Sequence, residues 1–216
     1  MLFRSTNDVA LCVMPLFHVH GLVASTISTL ATGGTLIVPA KFNALSFWKT
    51  VRDYKVSWYS AVPTIHSMLL ARAGDTRPEG SEGLRFIRSC SAALPPEMMT
   101  KMETVFGAPV LEAYGMTEAS HQMASNPRPP KAHKGGSVGP ATGIQIGIMD
   151  GSGTLLPQGE RGEVVIKGPN VVDGYENNPE ANASSFTDGW FRTGDQGYLD
   201  EEGYLFLTGR LKEMIN

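Results

Sequence analysis

Residues Glu112 to Glu118, Glu-Ala-Tyr-Gly-Met-Thr-Glu, hold the densest set of groups able to handle a nucleotide. Tyr114 offers a flat ring for stacking on a base, and Thr117 offers a hydroxyl donor for a phosphate. Glu118 offers hard oxygens for a magnesium ion shared with that phosphate. Gly115 lets the backbone turn sharply between them. A second cluster, Trp190-Phe191-Arg192-Thr193-Gly194-Asp195, is followed by Thr208-Gly209-Arg210. A carboxylate on a glycine-flanked turn accepts two hydroxyl hydrogen bonds, and a nearby guanidinium donates to the same sugar, so Asp195 with Arg210 suits a ribose. Plainer accounts exist for both clusters. A Tyr-Gly turn with a capping Thr-x-Glu explains the first, and a hairpin ion pair explains the second.

The elements that must position these groups alternate short apolar runs with longer amphipathic ones, the pattern of βαβ units and a parallel sheet. Strands are expected at Ala10–Met14, Thr35–Val38, Ser57–Val62, Arg85–Ser89 and Val110–Tyr114. Helices are expected at Gly21–Leu30, at Ala44–Tyr54 with Asn43 as N-cap, at Thr64–Arg72 after Pro63, and at Pro96–Phe106. Ligands of open α/β sheets settle outside the carboxyl ends of the strands, which is where Tyr114–Glu118 falls. Residues 124–139, with Pro127, Pro129, Pro130 and Gly135-Gly136, read as an irregular connection. Short strands follow at Ile144–Met149, Glu163–Lys167 and Tyr204–Thr208, with turns at Asp150-Gly151 and Glu202-Gly203. The expected fold is α/β: a parallel-sheet core over 1–123, the connection, and a small antiparallel β subdomain over 140–210.

Composition narrows the function classes. The 216 residues carry 18 basic and 21 acidic side chains, a formal net charge of -3, which gives no broad footprint for nucleic acid. With 42% hydrophobic residues the chain can bury a sizeable core. Cys12 and Cys90 are too few for a disulfide framework, lack metal-ligand spacing and read as buried thiols. The most apolar stretch, residues 9–39, is interrupted by Pro15, His18, His20, Gly21 and Gly33-Gly34, short of a bilayer span, and carries no secretory signal. An intracellular location, cytosol or peroxisome, is the expectation.

The motifs, taken in order, resemble the adenylate-forming acyl-CoA synthetases. They are Pro-Leu-Phe-His at 15–18, Ser-Cys-Ser-Ala-Ala-Leu-Pro at 89–95, Tyr-Gly-Met-Thr-Glu at 114–118, Gly-Glu-Val-Val-Ile-Lys-Gly at 162–168 followed by Gly174-Tyr175, Phe-Arg-Thr-Gly-Asp at 191–195, and Gly-Arg-Leu-Lys-Glu at 209–213. Several ordered motifs are far more specific than any one. The resemblance implies an AMP-forming ligase that joins a carboxylic acid to coenzyme A at the expense of ATP, with magnesium, through an acyl-adenylate. It implies that Tyr114, with Gly115 and Met116, and the Ser91-Ala92-Ala93 backbone enclose adenine, and that Thr117 meets the α-phosphate. It further implies that Glu118 holds the metal, that Asp195 and Arg210 bind the ribose, and that Lys212 is a hinge to a C-terminal subdomain.

Polar groups at the acyl end, His18, His20, Ser91 and His121, suit a short anionic acid. Together with Pro-Leu-Phe-His-Val-His-Gly and Tyr-Gly-Met-Thr-Glu-Ala-Ser-His-Gln-Met they resemble the oxalate–CoA ligase branch. A 4-coumarate-type or medium-chain ligase is the alternative substrate class, and an inert nucleotide-binding or interaction fragment is the alternative outside enzymes. The family's Ser/Thr/Gly-rich phosphate loop ending in Lys has no counterpart before His18, and the lysine-bearing C-terminal subdomain is not among these residues. The expectation is a fragment with little turnover alone. His66 is expected to be structural, His133 solvated, and Met98, Met99 and Met102 to be helix packing.

Overall fold

A computed structural model describes residues 5–211. Strand β1 (Val9–Cys12) leads into a helix, α1, that is π-helical over His20–Ile27 and α-helical over Ser28–Leu30. Then come β2 (Thr35–Ile37), α2 (Phe47–Asp53), β3 (Trp58–Ala61), α3 (Pro63–Ala73), β4 (Phe86–Ser89), α4 (Pro96–Phe106) and β5 (Val110–Tyr114). Strands β1 to β5 pair in parallel, and the short β6 (Ala124–Ser125) adds antiparallel to β5, giving the order β2-β1-β3-β4-β5-β6.

Strands β3, β4 and β5 are buried along their whole length, as central strands covered on both faces must be. Strand alternation sorts their side chains. Leu11, Tyr59, Ile87 and Val110 face α2, α3 and α4, where Phe47, Leu69, Met102 and Phe106 complete the larger core. Ala10, Trp58, Phe86 and Leu111 form a smaller cluster on the other face. Each such fully buried large side chain contributes about 1.5–3 kcal/mol. Pro63 and Pro96 occupy the first turns of α3 and α4, where a missing N–H costs nothing.

The rest of the chain builds an antiparallel sheet from β7 (Gln145–Met149), β8 (Gly162–Lys167), β9 (Phe186–Thr187), β10 (Trp190–Leu199) and β11 (Leu205–Arg210), with α5 (Pro179–Ser185) between β8 and β9. Its inner face does not form a separate core. Ile148, Val164, Ile166, Phe191 and Leu205 pack with Tyr114, Met123, Ala124 and Val138 from the end of the parallel sheet. The carboxyl end of β5 is thereby clamped against the second sheet.

Four local expectations are corrected. Residues 190–195 are not a turn: they open the ten-residue β10, whose ladder to β8 is interrupted between Arg192 and Gln196 by a bulge. The first helix begins in π register because Ser25 and Thr26 donate their hydroxyls to the carbonyls of His20 and Gly21, five residues back. Ser46, not Asn43, precedes α2; Asn43 accepts the Leu45 N–H in a local turn instead. His133 is not solvated, since its Nε2 lies 2.8 Å from Glu103. His66 is buried within α3, and Met99 and Met102 are buried in α4, as expected. Both cysteines are buried thiols. No helix among the described residues is long and apolar enough to cross a membrane. Lys212 lies outside the described residues.

Candidate functional site

The residues after β5 form a short 3₁₀ turn, Thr117–Ala119, preceded by Met116 with no capping side-chain bond, so the capped-turn account of Thr117 does not describe it. Gly115 is required for closeness more than for a bend: a Cβ there would stand 1.6 Å from the His121 carbonyl oxygen. The chain therefore leaves β5, passes through Thr117 and Glu118, and returns against itself at His121, whose φ of 81° is left-handed. This loop carries the residues expected at phosphate, metal and acid on one short tether.

Asp195 reaches the same place from β10. Its register partner on β11 is Arg210, which donates through Nε to Asp195 Oδ1 at 2.8 Å. Tyr114 donates its hydroxyl to the other oxygen, Oδ2. Burial, and then the charge of Asp195, push the Tyr114 pKa up, so the phenol keeps its proton and remains a donor. The bulge beneath is fixed from β8. Glu163 accepts from Arg192 Nε at 2.7 Å and from the Gly194 N–H at 2.9 Å, while Thr193 donates to the Val164 carbonyl at 2.7 Å. Asp195 is buried and doubly held, which gives its carboxylate a defined direction.

Around this junction lies a cavity of about 500 Å³. Its walls are Ser91 to Leu94 after β4, Glu112 to Met116, Gly136, Val138, Asp195, and Leu207 to Arg210. Every residue expected at the base and sugar is present: Ser91, Ala92, Ala93, Tyr114, Gly115, Met116, Asp195 and Arg210. A neighbouring cavity of about 420 Å³ shares Ser91, Gly115, Met116 and Arg210 with it, and adds His18, Thr117, Glu118, His121, Tyr175 and Thr193. The two form one continuous groove, with the residues expected at phosphate, metal and acid in its second half. A third hollow, near Trp48, Arg52 and Arg77, shares no residue with either.

Of the four acid-site candidates, His18, Ser91 and His121 line the groove and His20 does not. His20 is fully buried behind Ser91, with Nδ1 3.1 Å from the Ser91 hydroxyl and Nε2 2.7 Å from that of Ser60. Burial, reinforced by the charges of Arg88, His18 and His66, lowers its pKa to about 3. It is a neutral ring that orients Ser91. Ser91 needs that support because its φ of 74° is a conformation glycine adopts far more readily. His121 packs beside His20 with ring centroids 5.3 Å apart, and its Nε2 lies 3.6 Å from Cys90 Sγ.

Three contributors were not anticipated. Tyr175 donates its hydroxyl to Glu118 Oε1 at 2.9 Å, tying the long loop after β8 to the carboxylate. Glu112 is buried in the cavity wall and accepts from the Leu94 and Gly136 amides; burial raises its pKa, against those two amides. Glu163 braces the β10 bulge before Asp195. All three stand inside runs the sequence singles out, Glu112 in 112–118, Glu163 in 162–168 and Tyr175 in the Gly174-Tyr175 pair, but none with this role. Glu118 fits magnesium of the kind shared with a substrate phosphate, which needs one or two protein carboxylates. It does not fit an all-protein cage, since no cluster of three or more His, Cys, Asp or Glu able to hold a metal occurs among the described residues.

Comparison with known proteins agrees with this geometry. Residues 2–176 match the family described as AMP-binding enzyme. The chain is 50% identical over 213 residues to an oxalate–CoA ligase of Arabidopsis thaliana, covering 97% of this chain and 41% of that protein. It is 51% identical over 211 residues to an oxalate–CoA ligase of Saccharomyces cerevisiae, covering 97% of this chain and 38% of that protein. The chain thus spans about two fifths of the length of these relatives. Among solved structures, ATP-bound MatB from Rhodopseudomonas palustris superposes with a TM-score of 0.89 at 34% identity, over 98% of this chain and 42% of that one. An AMP complex of the o-succinylbenzoate–CoA synthetase MenE from Bacillus subtilis gives 0.85 at 32% identity, over 97% and 42%. On the extent of that match the chain belongs to the AMP-binding enzyme family.

Proposed function

We propose that this chain is the nucleotide- and acid-binding part of an AMP-forming acid–CoA ligase, and that its acid is oxalate. The observation that carries the reading is the Tyr114–Asp195–Arg210 junction, where two stretches 81 residues apart meet on the wall of a single cavity. In this reading adenine lies between Tyr114 and the Ser91–Ala93 backbone, and Asp195 accepts from the ribose hydroxyls while Arg210 holds it in place. Thr117 donates to the α-phosphate. Glu118, oriented by Tyr175, holds magnesium. When bound, that ion supplies positive charge to the phosphate oxygens.

The acid carboxylate attacks the α-phosphorus and pyrophosphate leaves; the coenzyme A thiol then attacks the acyl carbon and AMP leaves. The protein supplies position and charge for both steps. His18, Ser91 and His121 hold the acid, with His20 supporting Ser91 from behind. A polar, histidine-lined acid site favours oxalate over the aryl or medium-chain alternatives, because apolar acids gain little there and a second carboxylate gains partners. Two relatives described as oxalate–CoA ligases support the same choice.

The test is to incubate the protein carrying this chain with ATP, magnesium and oxalate and to follow pyrophosphate and AMP. Oxalate-dependent release of both is expected; ADP and phosphate instead would contradict the reading. The 216-residue stretch alone is expected to turn over feebly, since no Ser/Thr/Gly-rich loop ending in Lys lies among its residues.

A further inference from the structure

Two arginines three residues apart around β4 meet different fates. Arg85 pairs with Asp8 across the sheet. Arg88 is buried, yet no ion pair between it and a carboxylate occurs among the described residues; its Nη2 donates to the Gln122 side-chain oxygen, and its buried Nη1 has no partner. The acid on the adjoining strand does not serve it. Glu112 stands in register with Ser89, on the opposite face, and spends its carboxylate on the Leu94 and Gly136 amides.

A lone buried cation is among the least favourable things a fold can keep, and removing its compensation normally destabilises a protein strongly. Where such a charge persists, a ligand of opposite charge is the natural countercharge. Arg88 lines neither cavity; it stands behind the groove wall, on the side of the acid-site histidines. Alternation along β4 puts it on the same face as Cys90, whose Sγ faces His121. Its register partner on β3 is Ser60, whose hydroxyl meets His20, and its charge is felt at His20. Burial holds His20 neutral, so that ring supplies no positive charge to the acid site. Ser91 and a neutral His20 behind it orient any carboxylate; they give no reason to prefer a second negative charge.

We propose that Arg88 is a specificity-determining residue of the acid site: its uncompensated guanidinium is the countercharge for the second carboxylate of a small dicarboxylate, and selects such acids over monoanions of the same shape. The proposal rests on the ligase reading above and adds one charged side chain to the polar groups that set its acid selectivity. A guanidinium also keeps its charge at any physiological pH even though burial lowers its pKa, so the selectivity is built in rather than switched.

The experiment titrates oxalate, and its near-isostere oxamate with an amide in place of the second carboxylate, into the AMP-loaded protein. The native protein should bind oxalate more tightly than oxamate by about tenfold or more, the usual scale of a charge-assisted contact. Arg88→Met should remove most of that ratio while AMP affinity stays within about threefold, as expected for a change outside the nucleotide half. Gln122→Leu, which deletes the arginine's hydrogen-bond partner but keeps the cation, should retain the ratio, and it decides the matter if Arg88→Met does not fold. An unchanged ratio in Arg88→Met, or its loss in Gln122→Leu, overturns the role of Arg88 and leaves the ligase reading standing. A native protein that binds AMP but shows no preference for oxalate overturns the dicarboxylate reading itself, and Arg88's role with it.

Discussion

Replacing Gly115, which itself lines the groove, with alanine perturbs the loop that carries Thr117, Glu118 and His121. The added methyl would lie 1.6 Å from the His121 carbonyl oxygen, 2.6 Å from its carbon and 3.1 Å from Nδ1 of the same residue. Ordinary van der Waals contact requires the two strands of the loop to part by about 2 Å, and the two nearest obstacles are backbone atoms. Forced repacking of this kind costs about 1–3 kcal/mol of stability. The displacement matters more than the cost. With Thr117, Glu118 and His121 in their proposed roles, moving them by 1 Å or more relative to Tyr114 and Asp195 should lower the rate of the first step by about a hundredfold. Urea unfolding measures the first effect, and the initial rate of oxalate-dependent pyrophosphate release measures the second. Gly151→Ala is the control, because nothing stands within 4 Å of a methyl there; it should change stability by less than about 0.5 kcal/mol. If Gly115→Ala matches that control in both assays, the close return of the loop is not what positions the site.

Other outcomes follow from the same geometry. His20, held near a pKa of about 3, and His66, held near 4 by burial, exclude protons that the unfolded chain binds below pH 6.5. Native stability should therefore fall as pH drops through that window, by roughly 1.4 kcal/mol per pH unit for each histidine. His20→Gln should flatten the slope, and urea midpoints at pH 5 and 7.5 would show an unchanged slope if the account were wrong. Tyr175→Phe removes the donor to Glu118 and should raise the magnesium concentration needed for half-maximal ATP binding by about threefold to tenfold, with no effect on magnesium-free AMP binding. His121→Asn should weaken oxalate use more than use of a monocarboxylate, and equal losses would deny His121 a part in acid choice.

The parallel half of the fold was readable because its signals are local. Apolar runs such as Trp58–Ala61 and Val110–Tyr114 are buried on both faces, and Pro63, Pro96 and Gly107 punctuate the helices between them. Strand β10 escaped because the residues it buries in alternation, Thr193 and Asp195 after Phe191, are polar, and Gly194 at the bulge imitates a turn. Burial of those polar groups makes sense only once Val164, Tyr114 and Arg210 are seen to satisfy them. The π register of the first helix depends on Ser and Thr hydroxyls reaching five residues back, which no apolar periodicity records. At the site, the types and order of Tyr114 to Glu118, Asp195 and Arg210 were legible as chemistry. That His20 stands behind Ser91 rather than in the groove was not, because an apolar run with a histidine looks the same in either place.

The claim that Tyr114 and Asp195 jointly frame a site for AMP is tested most directly by calorimetric titration of AMP into the chain and into its Asp195→Asn form. The substitution keeps shape but removes the charge that Arg210 and Tyr114 both address, so affinity should fall about tenfold or more while the fold persists. Equal affinity in the two proteins would contradict the account.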